Sequence, residues 1–193
     1  MSPIVTVVLA LLVLWAAAEA FAWPIVPDAA LAVVVFLAPN LAVPALAAVV
    51  IGTTLGGAVA ITVWRRGVRW PLPMATDSMR TRVNLWLDRG PVGLIYQPLT
   101  AVPYKLFVVD AAGRDFSVHT CAALTAAFRG ARMLGVTVVS AITATLVSNL
   151  VTAESLVAWK LVMVGVGTAI FLTGWRMVWV MWSKPKPRQR AST

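Results

Sequence analysis

"EAFAWPIVPDAALAVVVF", residues 19–36, interrupts a chain whose neighbouring segments are long and apolar. Two carboxylates, Glu19 and Asp28, and two prolines, Pro24 and Pro27, lie within it. Proline breaks a helix, and a charge at the bilayer centre costs about 2.5–3.5 kcal/mol even on the lenient insertion scale. Broken backbone at membrane depth is tolerated only where protein or a water-filled cavity surrounds it. We therefore predict an interrupted, functional segment here rather than a simple membrane span.

The composition indicates a membrane protein. Of the 193 residues 60% are hydrophobic, and the apolar runs are continuous rather than alternating. Leu, Ala and Val dominate these runs, which favours α-helical spans over a β-barrel. The net charge of +9 comes from basic residues that flank the apolar runs, so it predicts topology rather than nucleic-acid binding. The single cysteine, Cys121, excludes an intramolecular disulfide and a cysteine-built metal site.

The order of segments predicts a single transmembrane domain, residues 1–182, and a basic, proline-rich, disordered cytoplasmic tail, residues 183–193. Gly52, Gly56 and Gly57 are predicted to form a flat, close-packing helix face. The predicted segments are a retained first span rather than a signal peptide (3–18), an interrupted segment (19–38), a span (41–64), an amphipathic helix (77–89), a second interrupted segment (91–113), a long helix (116–150) and a last span (155–182).

The distribution of Lys and Arg predicts the topology. The basic segment 65–90 and the basic tail are expected to face the cytoplasm. Residues 41–64 then run from outside to inside, and residues 3–18 run from inside to outside. The interrupted segments, 19–38 and 91–113, must each enter and leave on one side of the membrane. The expected location is the cell inner (plasma) membrane, multi-pass, with both termini cytoplasmic.

The two interrupted segments resemble each other. "WPIVPDAALAVV" has two prolines followed by an acid, and "QPLTAVPYKLFVV" has two prolines followed by a cation. We expect hairpin tips at Pro24, Pro27, Pro98 and Pro103. The predicted fold is an all-α polytopic membrane protein, a helical bundle with two oppositely oriented re-entrant helical hairpins that form an inverted repeat. Chance matching of the two segments is the alternative.

Five charged residues fall within predicted apolar segments. Arg129 and Arg132 are spaced i, i+3, so they share one helix face. Arginine forks match phosphate oxygens, and with Lys105 they would suit the phosphate head group of a lipid. Glu19 and Asp28 could exchange protons during a transport cycle. The alternative is that these side chains sit at the membrane interfaces and snorkel.

The chain resembles the DedA family, the bacterial branch of the VTT or SNARE-associated Golgi-protein group. The first half matches in "EAFAWPIVPDAAL" followed by "GTTLGG", and the second half in "VPYKLFVVDAAG" followed by "FRGARML". The resemblance covers about residues 15–140. Many members carry two arginines at the second hairpin tip, whereas this chain has only Lys105, with Gln97 near the place of the other.

The resemblance implies a fold and a set of functional residues. Family members have two re-entrant hairpins that face each other inside a helical bundle, and they are implicated in moving undecaprenyl phosphate or other phospholipids. By position, Glu19 and Asp28 match the acidic pair of the family. Lys105 matches a basic tip residue, and Arg129 and Arg132 match the basic pair on the following helix.

The expected function is that of a lipid transporter, or flippase, for an anionic phosphate head group, and coupling to protons is a further expectation. The alternatives are a proton- or cation-coupled transporter of a small solute and a non-transporting membrane assembly protein. We expect no enzymatic activity, no cofactor and no metal site, because no cluster of metal-binding carboxylates is evident. The expected partners are membrane lipids, such as a polyprenyl phosphate or a phospholipid, and protons or a coupling cation, with a homodimer left open and no nucleic acid.

Overall fold

A computed structural model describes five stretches of the chain: residues 2–21, 27–69, 76–100, 102–150 and 155–183. Within the last helix it describes only part of the side chains. These stretches are helical and contain no strand, so the predicted all-α class is confirmed for them. The predicted tail lies outside the described residues apart from Ser183. The helices are α1 Pro3–Ala18, α2 Pro27–Leu37, α3 Ala42–Arg65, α4 Asp77–Leu87, α5 Tyr96–Leu99, α6 Tyr104–Ala112, α7 Val118–Leu150 and α8 Leu156–Ser183, with 3₁₀ turns at Pro39–Leu41 and Pro91–Ile95.

Local sequence signals explain where the helices begin. Ser2 precedes α1, its side chain accepts a hydrogen bond from the Val5 N–H at 3.4 Å, and Pro3 occupies the first helical position. Thr76 caps α4 in the same way, with its hydroxyl 3.3 Å from the Met79 N–H. A polar N-cap satisfies a helix donor that otherwise lacks a partner, and proline loses nothing at the first position.

Two helical segments are long and apolar enough to cross a membrane, by length and composition. They are residues 39–65, which contain α3, and α7, residues 118–150. The 33 residues of α7 extend about 50 Å at about 1.5 Å per residue, which exceeds a hydrocarbon core of about 30 Å. The predicted boundaries of both segments agree with the structure to within two residues. This supports the coarse prediction of a membrane protein.

The first helix packs along α3 through glycine. A β-carbon on Gly56 would overlap the backbone of Ala17, and one on Gly52 would overlap the carbonyl of Val13. Close approach of two helix backbones needs such small residues. The contacts advance in the same order along both helices, from Val13 at Gly52 to Ala17 at Gly56, so α1 and α3 are parallel. The predicted close-packing face of α3 is confirmed.

The direction of α1 corrects a prediction. Residues 3–18 were expected to run opposite to residues 41–64, but the two helices run the same way. The 16 residues of α1 extend only about 24 Å, less than the membrane core, so the helix need not cross to the other side. The charge rule counts Lys and Arg in loops, and it has no Lys or Arg to count around this short helix.

Helices α1 and α2 pack side by side and are called here the first helix pair; they are antiparallel, because the end of α1 and the start of α2 both meet α7, at Arg129 and Arg132. Leu12 and Ala16 of α1 pack with Leu31 and Val35 of α2 in one buried cluster. Residues 19–38 were expected to form a re-entrant hairpin, which stays a prediction. The described part of that segment contains a single helix, α2, and α1 packs beside it.

The second helix pair consists of residues 91–99 and α6, which lie on either side of Pro103. Gly93 packs against the backbone of Trp86 near the end of α4, and the chain then runs towards the middle of α7. Helix α6 returns from there to the end of α3. Arg65 holds this return, because its guanidinium donates to the carbonyl of Ala112 at 3.3 Å and to that of Phe116 at 2.6 Å.

We predict that Gly56→Ala lowers the free energy of unfolding by about 1–3 kcal/mol. The added methyl group would overlap the α1 backbone at Ala17, so the two helices would have to move apart. Gly135→Ala in α7 is the matched control, since nothing lies within 4 Å of its β-carbon position. The control should be neutral or stabilising by up to about 1 kcal/mol. Chemical denaturation in detergent micelles measures both, and equal stability of the two variants would contradict the parallel packing of α1 on α3.

Candidate functional site

Two ion pairs lie on one face of α7, one turn apart. Arg129 Nη2 lies 2.5 Å from Glu19 Oε2, directly after α1, and Arg132 Nε lies 3.3 Å from Asp28 Oδ1, the second residue of α2. Arg129 is 11 residues after Val118, about 17 Å along the helix axis. The i, i+3 spacing predicted a shared face, and the structure brings four of the five predicted charged residues together on it.

The Glu19–Arg129 pair is buried. The Arg129 side chain is 3% exposed and that of Glu19 is 15% exposed. Within the described part of the chain, Nε and Nη1 of Arg129 have no hydrogen-bond acceptor. The guanidinium carbon instead lies 4.6 Å from the centre of the Tyr104 ring, at the start of α6. A buried charge is tolerated only when it is compensated, and here a carboxylate and an aromatic face compensate it.

Arg132 is the more accessible of the two arginines, with 31% of its side chain exposed. Besides Asp28, it contacts the second helix pair, because its Nη1 donates to the Pro98 carbonyl at 3.2 Å. The Asp28 side chain is 8% exposed, and its Oδ1 makes an ion pair but no well-aligned hydrogen bond among the described residues. One guanidinium thus touches the ends of both helix pairs.

Arg132 and Asp28 form the charged end of a cavity of about 390 Å³ between α2, α7 and α8, called here the Arg132 cavity. Ser140 and Thr143 add two hydroxyls on the α7 side. The remaining lining is apolar: Ala29, Ala32, Val33, Phe36, Val136, Val139, Met163, Val164, Val166 and Gly167. A cavity with one charged end and long apolar walls fits a ligand of the same polarity pattern.

The other predicted site residues have mixed positions. Lys105, the second residue of α6, is 3% exposed and forms no hydrogen bond or ion pair within the described chain. It does not line the Arg132 cavity. Pro27 begins α2, Pro98 lies within α5 and Pro103 precedes α6, and their role as hairpin tips stays a prediction. Pro24 lies outside the described residues.

Residues that the sequence reasoning missed complete the site. The Tyr104 hydroxyl shares a hydrogen bond of 3.3 Å with Thr125, which lies one turn before Arg129 on α7. The i, i+4 spacing of Thr125 and Arg129 was a signal for a shared face. Tyr104 had no such signal, because its neighbours come from helices far apart in sequence.

Arg114, which carried no predicted role, anchors the base of the second helix pair. Its guanidinium contacts Asp88 at 2.9 Å and Asp110 at 3.1 Å, and it donates to the Asn84 carbonyl at 3.1 Å. Burial alone would lower the pKa of Arg114, but the hydrogen bonds and ion pairs with Asp88 and Asp110 raise it above its ordinary value. The guanidinium therefore stays charged and ties α4 to α6.

No protein-family model matches the chain, and no curated protein or solved structure matches it. Among the residues that the structure describes, no group of three or more His, Cys, Asp or Glu side chains could hold a metal ion.

We predict that Arg129→Met destabilises the protein by about 3–5 kcal/mol, because it leaves the Glu19 carboxylate buried without its partner. Adding Glu19→Leu should recover most of this loss, since the double variant buries no unpaired charge. Urea unfolding of the single and double variants in one detergent measures the coupling. Strictly additive losses would show that the two side chains do not depend on each other.

Proposed function

We propose that the protein is a membrane transporter that moves a lipid with an anionic phosphate head group, such as undecaprenyl phosphate or a phospholipid, across the bacterial inner membrane. The observation that carries the proposal is the Arg132 cavity. Its charged end holds an accessible arginine, and its walls are almost wholly apolar. A phosphate head group suits the arginine fork, and the lipid chain suits the walls.

The proposed topology follows from charge and packing together. Helix α3 ends at Arg65, and Arg66 and Arg69 follow it, which makes a basic end that we assign to the cytoplasm. The second helix pair then enters from the cytoplasmic face. Because α1 is parallel to α3, the first helix pair enters from the outer face, and the N terminus lies outside. This replaces the cytoplasmic N terminus expected from the sequence, while the tail after α8 stays cytoplasmic.

In this topology both helix pairs are re-entrant and their inner ends meet near the middle of α7. Glu19 and Asp28 come from the outer pair, and Pro98 and Tyr104 come from the cytoplasmic pair. Such a meeting point near the membrane centre, built from interrupted helices of two opposed repeats, is typical of transporter binding sites. It also supports the proposed inverted repeat.

The ion pair in the cavity suggests how a head group would bind. In the present structure the Asp28 carboxylate pairs with Nε of Arg132, and the Pro98 carbonyl accepts a hydrogen bond from Nη1 of the same guanidinium. An arriving phosphate would take the place of the carboxylate. The displaced Asp28 carboxylate and the Glu19–Arg129 pair would be the two sites of the proposed proton coupling.

The apolar walls favour a lipid over the alternatives. A transporter of a small polar solute needs a polar lining, and the Arg132 cavity offers few polar groups besides its charged end. A purely structural assembly protein would not need an accessible arginine that faces a cavity. Lys105, buried without a partner among the described residues, would supply a further cation near the end of the second helix pair.

We predict that Arg132→Gln lowers the rate of head-group translocation at least about thirtyfold, because the phosphate loses its charged partner. Proteoliposomes with labelled undecaprenyl phosphate and common phospholipids, with and without a pH gradient, measure the rate. Arg80→Gln on the exposed side of α4 is the control and should keep the wild-type rate. Full translocation by the Arg132 variant would reject the proposed role of this residue.

We also predict that a cysteine at position 2 reacts with a membrane-impermeant maleimide from outside, whereas one at Thr81 reacts only after the membrane is opened. Both positions are exposed, and the background carries Cys121→Ala to remove the buried native thiol. The reverse labelling pattern in intact cells would overturn the assigned orientation, and labelling of both positions from one side would contradict the odd number of crossings between them.

A further inference from the structure

Tyr104 stands where three helices meet. It is the first residue of α6, and it is 5% exposed. Its ring lies against Arg129 of α7, and its hydroxyl reaches Thr125 of the same helix. A β-carbon on Gly57 of α3 would overlap that hydroxyl oxygen. The side chain is therefore held on three sides.

The ring covers the part of Arg129 that the carboxylate leaves open. Glu19 contacts Nη2, while Nε and Nη1 are buried and lack a hydrogen-bond acceptor within the described chain. Two buried donors without acceptors are costly. An aromatic face 4.6 Å from the guanidinium carbon offsets part of this cost by a cation–π contact, which is strongest when water is excluded.

Gly57 explains how a tyrosine fits at this point. Any larger residue there would push the hydroxyl away from Thr125 and tilt the ring relative to the guanidinium. Gly57 also belongs to the same glycine-rich turn as Gly56, which holds α1. The position of the ring is thus set by α3, while the group that the ring touches belongs to the ion pair between α1 and α7.

We propose that Tyr104 is the positioning residue for the Glu19–Arg129 pair. Gly57 fixes the position of the Tyr104 ring, because the absence of a side chain there leaves space for the tyrosine hydroxyl. Tyr104 touches no ligand in this role. Because Tyr104 belongs to the second helix pair, a movement of that pair would shift the ring and with it the Arg129 guanidinium that pairs with Glu19. In its consequences for transport the inference rests on the proposed function, whereas its packing and ion-pair steps stand independently of it.

The fit of the Tyr104 hydroxyl against Gly57 is tested by adding one methyl group at Gly57 and by removing the hydroxyl oxygen of Tyr104. Gly57→Ala should lower the melting temperature in detergent by about 3–9 °C, because the methyl group meets the tyrosine hydroxyl. Tyr104→Phe removes that oxygen and leaves the ring, and Thr125 can return its hydroxyl to its own helix backbone. The double variant Gly57→Ala/Tyr104→Phe should therefore recover most of the loss. A double variant as unstable as Gly57→Ala would overturn this step.

The positioning step is tested by how strongly Glu19 matters in each background. Glu19→Gln should lower the melting temperature clearly in the wild type and in Tyr104→Phe. In Tyr104→Leu the same change should cost less than half as much, because the guanidinium is no longer held against the carboxylate. A merely structural tyrosine would leave the cost of Glu19→Gln unchanged, and an equal cost in the three backgrounds would overturn the inference.

Transport separates this inference from the proposed function. Tyr104→Leu should translocate an anionic phospholipid in proteoliposomes about tenfold more slowly than Tyr104→Phe, which keeps the ring and therefore the cation–π contact. Equal rates for the two variants would overturn the role of the ring in transport. If wild-type protein moves no lipid, the proposed function fails, and the melting experiments alone decide whether Tyr104 positions the pair.

Discussion

A buried arginine must have a partner, and the rest of the structure follows from how Arg129 obtains one. Arg129 belongs to a long apolar helix, and its guanidinium is buried against the neighbouring helices, where an uncompensated charge would cost several kcal/mol. Glu19 reaches it only because α1 ends at this depth, and α1 can lie there because Gly52 and Gly56 admit its backbone. Tyr104 reaches it from the other side because α6 begins at the same level. One buried charge thus requires two helix ends to meet.

The two arginines of α7 lie in different surroundings, which suit different roles. Arg129 is closed off by Glu19 and Tyr104, which suits a group that holds the two helix pairs together. Arg132, one turn later, is held more loosely and borders a cavity with apolar walls. A ligand that competes for Arg132 would disturb contacts to both helix pairs at once, since Asp28 and Pro98 share that guanidinium. In the proposed transporter, this shared contact connects head-group binding with movement.

Much of this arrangement could be predicted from the sequence, and the exceptions have physical causes. Continuous apolar runs predicted the bounds of α3 and α7, and the i, i+3 spacing predicted the shared face of Arg129 and Arg132. The direction of α1 was not predictable from charge, because no Lys or Arg flanks that helix closely enough to orient it. It depends on a backbone contact with glycines that follow about 40 residues later in the sequence.

The role of Tyr104 was hidden for a related reason. Its neighbours Gly57, Thr125 and Arg129 come from two other helices, so no local spacing indicates their meeting. Lys105 was expected to share a head-group site with the two arginines, and the sequence did not indicate that it would lie outside the lining of the Arg132 cavity. Long-range packing decides such positions, whereas local patterns decide where helices begin and end.

The most direct measurement is an electron cryo-microscopy structure of the protein in nanodiscs that contain an anionic phospholipid. We expect a head-group phosphate in contact with Arg132, its chain along α2, α7 and α8, and the Asp28 carboxylate displaced from the guanidinium. A cavity that holds no head group, or an Arg132 that points into bulk water while lipid fills the membrane around it, would contradict the proposed binding mode.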